Sequence, residues 1–132
     1  ERDDTTYNFE KIGTGMSESS GVFSFPSTGK YLVTAVFSFF ISAGEANEAI
    51  FHIDVTANNG TNYGQVVVAK FGMNNSYNPR NFTSLARQLV DVTDISNVKV
   101  KFRVQGSNVN VSANTSSNDN KFYINFMRVG DT

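Results

Sequence analysis

An all-β sandwich is the fold class this 132-residue chain predicts, and three observations predict it. The chain holds 12 Phe and 5 Tyr with no Trp, an aromatic content that suits pleated sheets better than helices. Charged residues make up only 17%, so the polar surface must come from Asn, Ser, Thr and Gly, as in turn-rich β proteins rather than helical bundles. Finally, short alternating apolar runs are separated by turn signals, and roughly eight to ten such runs suggest a sandwich or a barrel.

The elements follow in order. The charged Glu1-Arg2-Asp3-Asp4 is expected to be loose, and the chain, opening without Met, is expected to be a segment or processed product of a longer protein. Residues 7–12 alternate as a first strand, and the Gly- and Ser-rich residues 13–21 read as a long turn region. Residues 22–25 form a short strand, stopped by Pro26-Ser27-Thr28-Gly29. In residues 31–42, Tyr31, Val33, Ala35, Phe37, Phe39 and Ile41 line one strand face, with Leu32, Val36 and Phe40 on the other. Residues 49–56 read as a strand in which Phe51, Ile53 and Val55 alternate with His52 and Asp54. Asn58-Asn59-Gly60 is a strong turn signal, and residues 65–73 form the next strand.

Residues 74–81 read as a polar loop, and the Thr and Val content of residues 82–92 favours a strand over a helix. Val98, Val100, Phe102 and Val104 should face inward, opposite Lys99, Lys101 and Arg103. Residues 107–120 are Asn- and Ser-rich, with a short ribbon at Val109-Asn110-Val111, and residues 121–129 form a last strand. There Phe122, Ile124 and Phe126 oppose Tyr123 and Met127. No repeat or boundary divides the chain, so residues 1–132 are expected to be a single domain.

Composition also excludes. A formal charge of −1 and a pI near 5.7 offer no basic field for phosphates, which argues against nucleic-acid binding. Cysteine is absent, removing disulfides, thiol nucleophiles and thiolate metal sites. No apolar stretch is long enough for a membrane-spanning helix, so no membrane insertion is expected.

The strand at residues 31–42 and the last strand are apolar on both sides, whereas a two-layer monomer keeps one face of each sheet in water. Leu32, Val36, Phe40, Tyr123 and Met127 therefore need a second cover, and burying each is worth ~1.5–3 kcal/mol. Self-association supplies that cover most simply.

Three segments carry a resemblance. The stretch from Gly21 through Phe23-Ser24-Phe25-Pro26-Ser27-Thr28-Gly29-Lys30-Tyr31 has a Phe, then Gly29, then Tyr31 ahead of a long strand. Val90-Asp91-Val92-Thr93-Asp94-Ile95-Ser96-Asn97-Val98 has the look of a hairpin, and Tyr123-Ile124-Asn125-Phe126-Met127 of a closing aromatic strand. In that order they resemble the jelly-roll superfamily of the complement C1q globular head and the tumour necrosis factors, over residues 7–129. The chain departs from it at Val33 and Ala35, where the family carries aromatics, and at Asn125, where it carries Gly. The resemblance implies an antiparallel two-sheet jelly roll of about ten strands that forms a homotrimer. It would place Leu32, Val36, Phe40, Leu85, Leu89, Tyr123 and Met127 toward the trimer axis; the plainer alternative is that several fill the monomer core.

Little points to catalysis. His52, the single His, shares a face with Asp54 and reads as a solvated outer-sheet residue rather than half of a metal site or an acid–base dyad. No nucleophile triad and no carboxylate pair stands out, so the chain is not expected to be an enzyme. No cofactor is expected. Calcium stays open, because some members of the superfamily hold it on loop oxygens and Glu45, Glu48 and Asp119 are loop acids, but no calcium-loop spacing occurs. Sequons begin at Asn59, Asn74, Asn81, Asn110 and Asn114 and matter only in a eukaryotic secretory protein.

Binding belongs in loops at the ends of a rigid sandwich. Residues 42–47, 74–80 and 112–120 should cluster at one end, with Tyr77 and Arg80 as preferred contacts, since Tyr and Arg anchor interfaces. The expected function is a trimeric, non-enzymatic adhesion or receptor-binding head at the tip of a virion fibre or surface protein. Its partner would be a host-cell surface glycan or protein, and its location extracellular or on the virion surface. The alternative is a structural trimerisation or capsid-decoration module without a cell-surface ligand.

Overall fold

The computed structural model describes residues 13–41, 48–72, 80–106, 112–113 and 123–132. The first strand expected at residues 7–12 and the ribbon at residues 109–111 lie outside them. Nine strands appear among the described residues: β1 (Ser17–Ser19), β2 (Val22–Ser24), β3 (Gly29–Ile41), β4 (Glu48–Thr56), β5 (Gly64–Gly72), β6 (Arg80–Val92), β7 (Lys99–Gly106), β8 (Ser112–Ala113) and β9 (Tyr123–Gly130). All pairings are antiparallel, and the strands form two sheets. One sheet runs β1-β2-β7-β4-β5; in the other, β3 pairs with β6 along one side and with β8 and β9 along the other. No helix among the described residues is long and apolar enough to cross a membrane.

Part of the turn region at residues 13–21 is a strand, because β1 closes a hairpin on β2 with Ser19 opposite Val22. Ser20 (φ 52°) and Gly21 (φ 78°) take left-handed backbone at the two loop positions, as a tight hairpin demands. Gly21 N–H donates to Glu18 Oε1 at 2.6 Å. The exposed Ser-Glu-Ser strand has no apolar alternation to reveal it.

The core lies between the sheets. Tyr31, Val33, Ala35 and Phe37 of β3 meet Phe51 and Ile53 of β4 and Val100 of β7, all nearly or fully buried. Aromatic rings bridge the layers: Phe126 of β9 lies 5.3 Å from Phe23 of β2 and 6.1 Å from Phe102 of β7, centroid to centroid. Val104, expected inward, sits opposite Phe51 but is exposed near the strand end.

The Phe23…Gly29…Tyr31 pattern has a physical basis. Tyr31 packs its ring 4.8 Å from Phe25, and its hydroxyl donates to the Ser27 carbonyl at 3.0 Å, with Ser27 Oγ 2.8 Å away. That closes the turn after Pro26. Gly29 enters β3 at φ +141°, and a Cβ there would lie 2.6 Å from Arg128 Nε and 2.8 Å from the Gly130 carbonyl. Arg128 in turn donates from Nε to the Thr28 carbonyl at 3.2 Å and from Nη2 to Asp131. Only glycine fits this crossing of β3 and β9.

A second ordered region lies between β4 and β5 and between β6 and β7. Asp94 accepts from Ser96 N–H and Asn97 Nδ2 at 2.7 Å each, and its carbonyl accepts from Val98 N–H at 2.9 Å. Asn59 N–H donates to the Asn97 carbonyl at 3.0 Å, joining the two loops.

Candidate interaction face

The long strand β3 fixes the geometry of the face opposite the core. With side chains alternating, residues 32, 34 and 36 point away from Val33 and Ala35. Register aligns their neighbours into three rows. Leu89, Leu32 and Met127 form one; Arg87, Thr34 and Asn125 the next; Leu85, Val36 and Tyr123 the third. The face thus carries two apolar rows about a polar one.

Its outer apolar side chains are about half open. Leu85 is 57% exposed, Leu89 51%, Tyr123 44% and Met127 55%, while Leu32 and Val36 in the middle strand are partly covered by their neighbours. Val129 is also exposed, next to the bulge at Lys30 and Tyr31. Six of the seven residues expected toward a trimer axis therefore share one sheet face. The seventh, Phe40, stands in β3 opposite Asn81 and Ser112, and its side chain lies outside the described residues. The sequence already places Thr34 between Leu32 and Val36 on this face; Arg87 and Asn125, its cross-strand partners, were missed, and two-residue spacing from the named apolar positions would have found them.

The opposite sheet holds a different cluster, and it corrects the view of His52 as solvated. His52 is 3% exposed and Asp54 3%. Both lie on β4, which is flanked on either side by β7 and β5, and register sets Arg103 and Val68 beside His52. A strand paired on both sides is more enclosed than alternation alone implies, and Arg103 reaches across from β7 to Asp54. Arg103 Nε donates to Asp54 Oδ2 at 3.1 Å, forming an ion pair whose acid is buried and whose base is partly open. Both His52 ring nitrogens and Asp54 Oδ1 are buried without a hydrogen-bond partner. Among the described residues no group of three or more His, Asp and Glu side chains could hold a metal ion. Of the acids considered for calcium, Glu45 and Asp119 lie outside the described residues, and Glu48 opens β4 with its side chain outside them.

The expected binding loops are bounded by strand ends that the register gathers. Ile41 pairs with Arg80, Glu48 with Gly72 and Ala49 with Gly106, so the chain enters and leaves residues 42–47 and 73–79, and leaves β7, at one end of the sandwich. Tyr77 lies outside the described residues. Arg80 is the first residue of β6 rather than part of the loop, and its side chain lies outside the described residues. The sequon asparagine Asn59 is exposed in a turn, Asn81 lies within β6, and Asn74, Asn110 and Asn114 lie outside the described residues. No protein-family model and no curated protein matches the chain.

Proposed function

We propose that this chain is the head of a homotrimer that binds through the loops at one end and catalyses nothing. The observation that carries the reading is the apolar face of β6, β3 and β9. A chain that leaves Leu85, Leu89, Tyr123 and Met127 about half exposed on one sheet face gains by covering them.

Two further copies are the cover that needs no additional partner. Two antiparallel sheets with strand orders β2-β7-β4-β5 and β6-β3-β9 support the likeness to the jelly-roll heads of C1q and the tumour necrosis factors. In such heads one sheet packs outward and the other turns its far face to its neighbours. With the apolar face committed to the assembly, recognition falls to the end where residues 42–47 and 73–79 leave the sandwich. The partner would be a surface glycan or protein of a host cell, met outside the producing cell or on a virion.

The test has two arms. Light scattering on the purified protein should give about three times the 14.5 kDa chain mass. Glycan arrays and cell binding should then show a signal that Tyr77→Ala with Arg80→Ala abolishes while the mass holds. A monomer refutes the assembly. An intact trimer that binds nothing refutes the recognition role and leaves a trimerisation or decoration module.

A further inference from the structure

Asn59-Gly60 is the single Asn-Gly dipeptide of the sequence, and it sits exposed in the turn between β4 and β5. Both residues take left-handed backbone, Asn59 at φ 54° and Gly60 at φ 88°. Gly60 offers no Cβ to keep its own amide away from the preceding side chain, and the place a Cβ would take is bounded only by Tyr63, no nearer than 3.5 Å. The Asn59 side chain makes no hydrogen bond among the described residues, while its backbone N–H is held by Asn97.

One group restrains the pair. The Thr56 hydroxyl, on a residue 1% exposed, accepts from Gly60 N–H at 3.1 Å and from Asn58 N–H at 3.3 Å. It donates its own proton to Asn58 Oδ1 at 2.8 Å, and that same oxygen accepts from Asn62 N–H at 3.0 Å. The nitrogen that would attack Asn59 is therefore tied to a buried oxygen.

We propose that Asn59 is a site of spontaneous covalent modification and that the Thr56 hydroxyl sets its rate. Gly60 N, after giving its proton to solvent base, bonds to Asn59 Cγ. The Cγ–Nδ2 bond breaks, and the amide nitrogen leaves as ammonia, having regained a proton from solvent. The resulting succinimide is opened by one water at either carbonyl, giving an aspartyl or isoaspartyl residue. Nothing is oxidised or reduced. The chain gains one negative charge on its formal −1 and loses the sequon asparagine.

The test is peptide mapping by mass spectrometry during incubation of the intact protein in mildly alkaline buffer, with isoaspartate assayed by enzymatic methylation. The peptide containing Asn59 should become about 1 Da heavier before any other asparagine peptide. Thr56→Val should speed this about fivefold, the rate equivalent of one hydrogen bond of ~1 kcal/mol, and Thr56→Ser should restore the wild-type rate. An unchanged rate in Thr56→Val would overturn the proposal, and so would an acceleration shared equally by Asn97, which would mean general loosening of the fold. Earlier modification at another asparagine would overturn it as well.

Discussion

Replacing Leu89 by Lys separates assembly from folding. Leu89 stands at the edge of an apolar row with Leu32 and Met127 and is 51% exposed in the single chain. Full burial of a leucine is worth ~1.5–3 kcal/mol, so in the proposed trimer the half still wet would contribute about 1 kcal/mol per protomer. Three copies lose about 3 kcal/mol together, roughly a hundredfold in the assembly constant. Three ammonium groups brought out of water in one interface cost several kcal/mol more. Within the protomer the lysine stem can lie along the same row with its charge in solvent, so folding should change by only about 0.5 kcal/mol. Light scattering over a concentration series should show the wild type as a trimer and Leu89→Lys at 14.5 kDa, both with the same far-ultraviolet dichroism. Should the charged variant keep the trimer mass, the face formed by β6, β3 and β9 is not the interface.

Two further outcomes follow from packing. Gly29→Ala meets both a positive φ and the Gly130 carbonyl, and should lower unfolding free energy by about 2–3 kcal/mol in urea at unchanged m value. Arg103→Ala strands the Asp54 carboxylate, and should cost about 2 kcal/mol at neutral pH by the same measurement, less than a fully enclosed pair because the guanidinium is partly open; a variant as stable as wild type would show that Arg103 does not support Asp54.

Much of this fold is legible in the sequence, for physical reasons that differ by element. The two-residue period identifies β4 and β7, and Val, Thr and aromatic content separates β3 and β6 from helices of similar apolarity. The exposed rows on β6, β3 and β9 follow from residues 32, 36, 123 and 127 having apolar character on the side away from the core. His52 escapes such reasoning. Its burial depends on which strands flank β4 and on the reach of Arg103, and neither is encoded in its neighbours along the chain. β1 was hidden for a related cause, since its strand character comes from its partner and from the backbone at Ser20 and Gly21. The polar row through Arg87 needed only the register.

The double-sided apolarity of β3 carries a cost in specificity. In most half-wet sheets a slip of one residue is forbidden because it would drive polar groups inward. For β3 that safeguard is thinner, since it rests on Lys30, Thr34 and Ser38 while Leu32 and Val36 are as apolar as Val33 and Ala35. Alignment must then be dictated from one terminus, where the Tyr31 phenol grips Ser27, and Gly29 alone admits the passing Arg128 and Gly130. Loosening that anchor would yield mispaired hairpins with near-native hydrophobic content, so folding yield should be more sensitive to residues 27–31 than their share of the core would suggest.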